Sequence, residues 1–196
     1  MNFFTRFTIR SMKKKLKALK HDRALNPTSD EAIAKEIGLY MNLAKIYQSV
    51  KNRKKFPFAE VMVNECYRAA ASLDSIEAQY LLGSKLLEEG KFREEIEQEE
   101  LFANPSNKRQ QQQLYEEAHA YLLAADNLGH IEAKRLRGLC YINGWGVDSD
   151  KRKGFDLIVE SIDKENSWDK VPQIFAEIGL NKPEFFSALA KHRNKT

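Results

Sequence analysis

The segment AKRLRGLCYINGWGV, residues 133–147, decides the fold of this chain. It starts as a helix whose small residues, Ala133 and Gly138, stand five positions apart, and it ends in a Gly-Trp-Gly turn at residues 144–146. Glycine adopts backbone angles that a Cβ atom opposes, so two glycines in three positions are typical of a tight reversal. The segment therefore predicts one helix that folds back onto the next, with Ala133 and Gly138 allowing it to approach its neighbours closely.

A weaker copy of this segment lies 55 residues upstream. Ser-Ile-Glu-Ala at residues 75–78 and Leu-Gly at 82–83 parallel His-Ile-Glu-Ala at 130–133 and Arg-Gly at 137–138. Self-similarity at a fixed offset indicates a repeat architecture. Because repeat proteins present extended binding surfaces, the pattern directs attention to a partner rather than to a catalyst.

The composition indicates a helical protein with one well-buried domain. The chain has 196 residues, of which 42% are hydrophobic and 31% charged, with only nine glycines and five prolines. No apolar run approaches the roughly 18 residues that span a bilayer, and the first 20 residues lack the apolar core of a signal peptide. The two cysteines, Cys66 and Cys140, lie in apolar stretches and are predicted to be buried thiols.

The positive charge is concentrated at one end of the chain. Residues 1–23 carry eight basic side chains against Asp22 alone, whereas the remainder carries 24 basic and 27 acidic residues. A protein that is basic throughout is thus not indicated, and nucleic acid is not expected as a partner. Within the basic segment an apolar stripe recurs at helical spacing, formed by Ile9, Met12, Leu16 and Leu19.

The basic N-terminal segment allows three interpretations. It can lie on an anionic membrane surface, with Arg10, Lys13, Lys14 and Lys17 as contacts. It can be a mitochondrial-type targeting segment, since no acidic residue precedes Asp22. It can also be a solvated extension, or a helix that packs on one end of the fold.

Apolar periodicity and turn residues predict helices along the rest of the chain and no strand. Breaks are expected at residues 26–29 and 104–107, a basic helix end at 51–55, and helix caps at Asp150 and Asn181. The expected helices cover about residues 30–51, 59–73, 76 to 90 with a continuation through the acidic run at 94–100, 110–128, 131–142, 150 to 165, 171–178 and 183–191.

Residues 133–153 resemble the SEL-one-like repeat family, a helical-hairpin relative of the tetratricopeptide repeats. The positions that match the family pattern are Ala133, Gly138, Tyr141, Gly144, Gly146, Val147, Asp150 and Lys153. Two positions depart from it, because Arg137 stands where leucine is usual and Gly154 where alanine is usual. The upstream unit lacks the Gly-x-Gly-Val turn and contains an insertion at about residues 91–108.

The resemblance implies an all-α fold, a short right-handed α-solenoid of antiparallel helical hairpins with helical caps at both ends. In this division, residues 1–25 form a basic amphipathic extension and residues 26–75 a capping or degenerate hairpin. Residues 76–165 form two repeats, and residues 166–196 form C-terminal capping helices.

The motifs give no support to an enzyme. The four histidines are scattered without metal-ligand spacing, and no nucleophile elbow, phosphate loop or dinucleotide fingerprint occurs. No catalytic residue, metal or cofactor is therefore expected. The glutamates at positions 94–100 are interpreted as a solvated helix face, with a cation or a basic partner as the alternative.

The resemblance implies a non-enzymatic adaptor or scaffold that binds a protein or peptide, as such repeats do in bacterial assemblies. The candidate contact residues are Tyr80, Lys134, Arg137 and Trp145. Trp145 can equally pack within its turn, and Arg137 is either exposed or a partly buried charge that needs an acidic mate. The alternative function is a peripheral membrane protein attached through its basic N-terminus. The expected location is the cytoplasm, with delivery into a host cell or organelle as the alternative, and the oligomeric state is left open.

Overall fold

A computed structural model describes residues 3–25, 29–50, 56–99, 104–180 and 182–193. Within these ranges the chain is helical and contains no strand, which confirms the all-α prediction. The helices are α1 (Phe3–Leu25), α2 (Asp30–Gln48), α3 (Ala59–Ala71), α4 (Ile76–Gln98), α5 (Pro105–Asn127), α6 (Ile131–Asn143), α7 (Lys151–Glu165), α8 (Val171–Glu177) and α9 (Pro183–Arg193), with a 3-10 turn at Trp168–Lys170.

The predicted insertion mostly lengthens two helices. Helix α4 continues through the acidic run to Gln98, and α5 begins at Pro105, five residues before the predicted start. The side chain of Asn104 accepts a hydrogen bond from the Ser106 amide at 2.8 Å, and proline is well suited to the first helical position. The break expected at residues 104–107 thus leads directly into α5, because these residues are the cap and the first turn of that helix.

Some expected features concern residues outside the described ranges. Most of the break at residues 26–29, the basic helix end at 51–55 and the Asn181 cap lie outside the described residues. Ser29 is described, and its hydroxyl accepts a hydrogen bond from the Ala32 amide at 3.3 Å, which caps α2.

The chain divides into two compact units, Met1–Leu82 and Gly83–Thr196, and the division falls inside α4. In the first unit α2 packs against both α1 and α3. The apolar stripe of α1 faces this packing, since Ile9 and Leu16 are buried. Arg23 of α1 donates a hydrogen bond to Glu36 of α2 at 2.9 Å, and Glu36 is only 1% exposed. The N-terminal segment is thus a helix packed on the fold.

The second unit has a hydrophobic core centred on α6 and α7. Side chains from α8 and α9 join this core, and the Phe175 and Phe186 rings lie 5.2 Å apart. The buried members of the core are Leu139, Ile142, Ile158, Val159, Ile162, Val171, Ile174, Phe175, Leu180 and Leu189.

Helices α6 and α7 touch through their backbones at Gly138 and Gly154. A Cβ atom on Gly138 would lie 2.6 Å from the carbonyl oxygen of Gly154, and a Cβ on Gly154 would overlap the carbonyl oxygen of Gly138. The close approach predicted for Gly138 is confirmed. The same contact explains why position 154 is glycine here, although the family pattern has alanine. No methyl group fits between the two helices at this point.

The turn between α6 and α7 has the predicted conformation. Gly144 and Gly146 have φ values of +74° and +71°, which favour glycine. The Trp145 amide donates to the Cys140 carbonyl at 2.9 Å, as in a glycine-terminated helix. Asp150 caps α7 as predicted, since its Oδ1 accepts a hydrogen bond from the Lys153 amide at 2.9 Å.

The backbone contact predicts opposite effects for the same substitution at two helical glycines. Gly138→Ala should destabilise the fold by about 1–3 kcal/mol, because its methyl group overlaps a backbone oxygen that cannot turn aside. Gly38→Ala in α2 is the matched control: its Cβ meets no atom within 4 Å, and alanine should stabilise that helix by up to about 1 kcal/mol. Denaturant unfolding measures both. Equal effects of the two substitutions would contradict the contact.

Candidate functional site

Two of the four predicted partner contacts take part in an ionic network and are largely covered from solvent. Arg137 is 9% exposed, and its Nη1 donates a hydrogen bond to Oδ2 of Asp126. The Lys134 side chain is 12% exposed, with Nζ 3.3 Å from Asp126 and 3.1 Å from Glu160. Lys134 is therefore not the exposed position that was expected, and of the two interpretations of Arg137 the exposed one is wrong. The alternative for Arg137 is confirmed, and Asp126 is its acidic mate.

The position of Asp126 explains why two cations gather there. Asp126 continues the buried stripe formed by Ala118 and Leu122, four residues apart along α5. A carboxylate in the last turn of a helix faces the negative end of the helix dipole, and a buried carboxylate needs partners. Arg137 and Lys134 from α6 supply the charge, and Lys134 reaches on to Glu160 of α7. The network therefore joins three helices.

Trp145 is partly buried against α4 and α5. Its ring stacks on Tyr115 with centroids 5.7 Å apart, and Lys91 Nζ lies 4.4 Å from the indole centroid. A Cβ on Gly146 would overlap the Tyr115 carbonyl, so the turn lies directly on α5. Trp145 is thus a packing residue that joins its turn to α5. Tyr80, the remaining predicted contact, belongs to the first unit and is partly buried.

Tyr115 is held from both sides. Its hydroxyl donates to Oε2 of Glu94 at 2.6 Å, and a Cβ on Gly90 would strike its ring at 2.5 Å. Burial raises the pKa of Tyr115, and the Glu94 carboxylate adds to the shift. The hydroxyl therefore stays protonated and able to donate. Sequence reasoning missed Tyr115 because its partners come from other helices.

The acidic run is not simply a solvated face. Glu97 accepts hydrogen bonds from the Asn104 amide at 3.0 Å and from Asn107 Nδ2 at 2.8 Å, which lower its pKa. Arg93 donates to Asn107 Oδ1 at 2.9 Å. Glu95 and Glu99, in contrast, are exposed. The bonded residues hold the end of α4 against the start of α5.

These contacts border a surface groove of about 680 Å³ in the second unit. One side consists of Lys108, Arg109 and the glutamines 111–113 on α5, and the other of Asn143, Gly144 and Trp145. Amide side chains both donate and accept hydrogen bonds. The groove combines them with an aromatic wall and with charges of both signs, since Glu94 and Glu116 also line it.

In the part of the chain that the structure describes, no three His, Cys, Asp or Glu residues are grouped so that they could hold a metal ion. Burial raises the pKa of Cys66 to about 11 and that of Cys140 to about 12, so both thiols stay protonated at neutral pH. Burial lowers the pKa of His119, and the charges of Arg137 and Lys153 add to the shift. His119 meets the Tyr141 ring edge-on at 5.5 Å and is a packing residue.

The predicted membrane contacts lie on the exposed surface of α1. Arg10, Lys13, Lys14 and Lys17 are all exposed, while Ile9 and Leu16 point into the first unit. Two aromatic side chains are also exposed near the start of the helix, Phe4 at 78% and Phe7 at 66%. None of the described helices combines the length and the apolarity that crossing a bilayer requires.

A scan against protein-family models finds no matching family for this chain. A search of the curated proteins likewise returns no match. The resemblance to SEL-one-like repeats therefore remains a prediction that rests on the residues quoted above.

The ionic network predicts that leucine at position 137 destabilises the fold unless Asp126 changes with it. Arg137→Leu should cost about 2–4 kcal/mol, because the buried Asp126 carboxylate keeps only Lys134 as a partner. Arg137→Leu/Asp126→Leu should recover a large part of this loss, since it leaves no unpaired acid. Denaturant unfolding of Arg137→Leu, Asp126→Leu and the double variant gives the coupling free energy.

Lys35→Gln is the matched control for this cycle. It breaks the exposed Lys35–Glu31 pair, whose atoms lie 2.6 Å apart, and should leave the unfolding midpoint unchanged. A double variant no more stable than Arg137→Leu alone would contradict the assignment of Asp126.

Proposed function

We propose that this protein is a non-enzymatic adaptor that binds a segment of a protein partner in the groove beside Trp145. The observation that carries the proposal is the composition of that groove, in which Trp145 is combined with amide and basic side chains of α5, most of them exposed. Amide groups suit the main chain of an extended peptide, which alternates donors with acceptors. Tryptophan, tyrosine and arginine are the residues that most often dominate binding energies at interfaces.

Preorganisation of the groove favours this role. Trp145 is held by Tyr115 and Lys91, and Tyr115 by Glu94. The start of α5 is tied to α4 through Asn107 and its partners Arg93 and Glu97. A surface already in its binding conformation pays little entropy on association.

The proposed architecture is the one that the sequence resemblance implies. A short right-handed α-solenoid with helical caps would present this groove on its surface, and the chain would serve as a scaffold subunit of a larger bacterial assembly. The α6–α7 hairpin supports this architecture, because Gly144 and Gly146 of its turn have the left-handed angles that the glycines of the repeat pattern suit.

Charge reversal at the groove tests the proposal. Lys108→Glu/Arg109→Glu changes two exposed residues that line the groove and should weaken partner binding about tenfold. Lys151→Glu/Arg152→Glu is the matched control, with the same charge change at exposed residues of α7 outside the groove lining. Crosslinking pulldown from native lysate, followed by titration of the recovered partner, compares both variants with the unmodified chain.

A partner retained by the unmodified chain and the control, and lost by the groove variant, is the expected result. Recovery of the same proteins at the same affinity by both variants would contradict the groove assignment. Failure of the unmodified chain to retain any specific protein would contradict the adaptor function itself.

We propose peripheral membrane attachment through α1 as the second candidate function, on the basis of the exposed Phe4 and Phe7. Aromatic side chains beside basic residues are typical of helices that lie in the membrane interface. Each basic residue near an anionic surface contributes about 1 kcal/mol, and Arg10, Lys13, Lys14 and Lys17 are exposed. In this function the chain would be cytoplasmic and peripheral to a membrane, or would reach a membrane after delivery into a host cell or organelle.

Vesicle flotation tests membrane attachment. The unmodified chain should float with vesicles containing phosphatidylserine, but not with neutral vesicles, and high salt should weaken this binding. Phe4→Ser/Phe7→Ser should reduce the floated fraction several-fold, whereas Phe58→Ser/Phe92→Ser, at similarly exposed positions, should not.

Substitution is preferable to removal of residues 1–23, since Ile9 and Leu16 of α1 are part of the core of the first unit. Equal flotation of both double variants, or flotation with neutral vesicles, would contradict attachment through α1.

A further inference from the structure

The first unit contains an apolar groove between α1 and α3, with α2 as its floor. The groove measures about 520 Å³. Its floor consists of Tyr40, Leu43 and Tyr47, and one wall is Met62, Cys66 and Ala69 of α3. Leu16 of α1 provides the apolar part of the opposite wall.

The charged residues of the groove lie along its edges. Lys13, Lys17 and Lys20 follow one edge of α1 at helical spacing, and Lys20 Nζ lies 5.4 Å from the centroid of the Tyr40 ring. Glu65 on α3 is the acidic residue of the lining. Three cations against one anion make the mouth of an apolar groove electropositive, which is a polarity that an anionic head and an apolar tail would match.

We propose that this groove binds a single-chain anionic amphiphile of the fatty-acid class. The hydrocarbon chain lies between α1 and α3, and the carboxylate faces Lys13, Lys17 and Lys20. The volume of 520 Å³ falls within the range of about 300–1,000 Å³ that small-molecule ligands occupy. The size of the groove favours one hydrocarbon chain over a folded helix from a protein partner, which buries a much larger surface.

The state of Cys66 is consistent with an apolar wall. Burial raises the pKa of Cys66 to about 11, so the thiol is neutral and behaves as a small hydrophobic side chain. The positive charge of Lys13 opposes this shift, which places Lys13 within electrostatic reach of the wall. The groove thus joins a neutral interior to a basic edge.

Titration of laurate into the intact chain, below the concentration at which laurate forms micelles, tests the proposal. Calorimetry should show saturable binding of one laurate per chain. Dodecyltrimethylammonium and dodecyl maltoside carry the same tail with a cationic and a neutral head, and both should bind at least about fivefold more weakly. Equal affinities for the three heads would overturn the role of the lysines.

Substitution of the lysines identifies the site. Lys13→Gln/Lys17→Gln/Lys20→Gln should weaken laurate binding about fivefold or more. The control Arg6→Gln/Arg10→Gln/Lys14→Gln removes the same charge from exposed positions of α1 outside the groove lining and should change the affinity less than about twofold. Equal losses in both triple variants would overturn the site.

A variant that fills the groove supplies an independent measurement. Ala69→Trp should abolish laurate binding, with circular dichroism and thermal unfolding to verify the fold. If this variant does not fold, the lysine triple variant decides the question. Absence of saturable laurate binding to the unmodified chain would overturn the proposal, as would an acidic amphipathic peptide that binds the groove where laurate does not.

Discussion

The second unit depends on the contact of two helix backbones with no side chain between them. Where Gly138 meets Gly154, the distance between α6 and α7 is set by main-chain atoms, which cannot adjust as side chains do. Ile142 and Ile158 then pack around the contact. The chain reverses direction between the two helices through the left-handed angles of Gly144 and Gly146. The same turn places Trp145 on the surface of α5.

Ion pairs also join α5, α6 and α7 to one another. Asp126 sits in the final turn of α5, where neither burial nor the helix dipole favours a carboxylate. Its charge is tolerated because α6 delivers Arg137 and Lys134 to it. Arg137 and Lys134, which were predicted to contact an external partner, are therefore paired internally, and the groove of the proposed function lies where the long ends of α4 and α5 meet the turn.

The sequence predicted what depends on local periodicity and turn chemistry. The helices, the small-residue contact at Gly138, the Asp150 cap and the buried thiols follow from patterns within a few residues, and the structure confirms them. The pairing of Arg137 with Asp126 and the packing of Trp145 on Tyr115 depend on which helix faces lie opposite each other. The pattern within one helix does not show which face of another helix it packs against. The exposure of Arg137 and Trp145 was therefore left open by the sequence.

The contacts of Trp145 with Lys91 and Tyr115 also make its intrinsic fluorescence sensitive to the local structure. The sequence contains only two tryptophans, and the other, Trp168, donates its indole N–H to Asp163 at 2.8 Å in a different part of the second unit. The emission of Trp145 depends on a cation 4.4 Å from its ring and on the neighbouring phenol. A movement of α4 relative to the turn would therefore change the fluorescence of Trp145. Intrinsic fluorescence would report that movement as it occurs, without an added label.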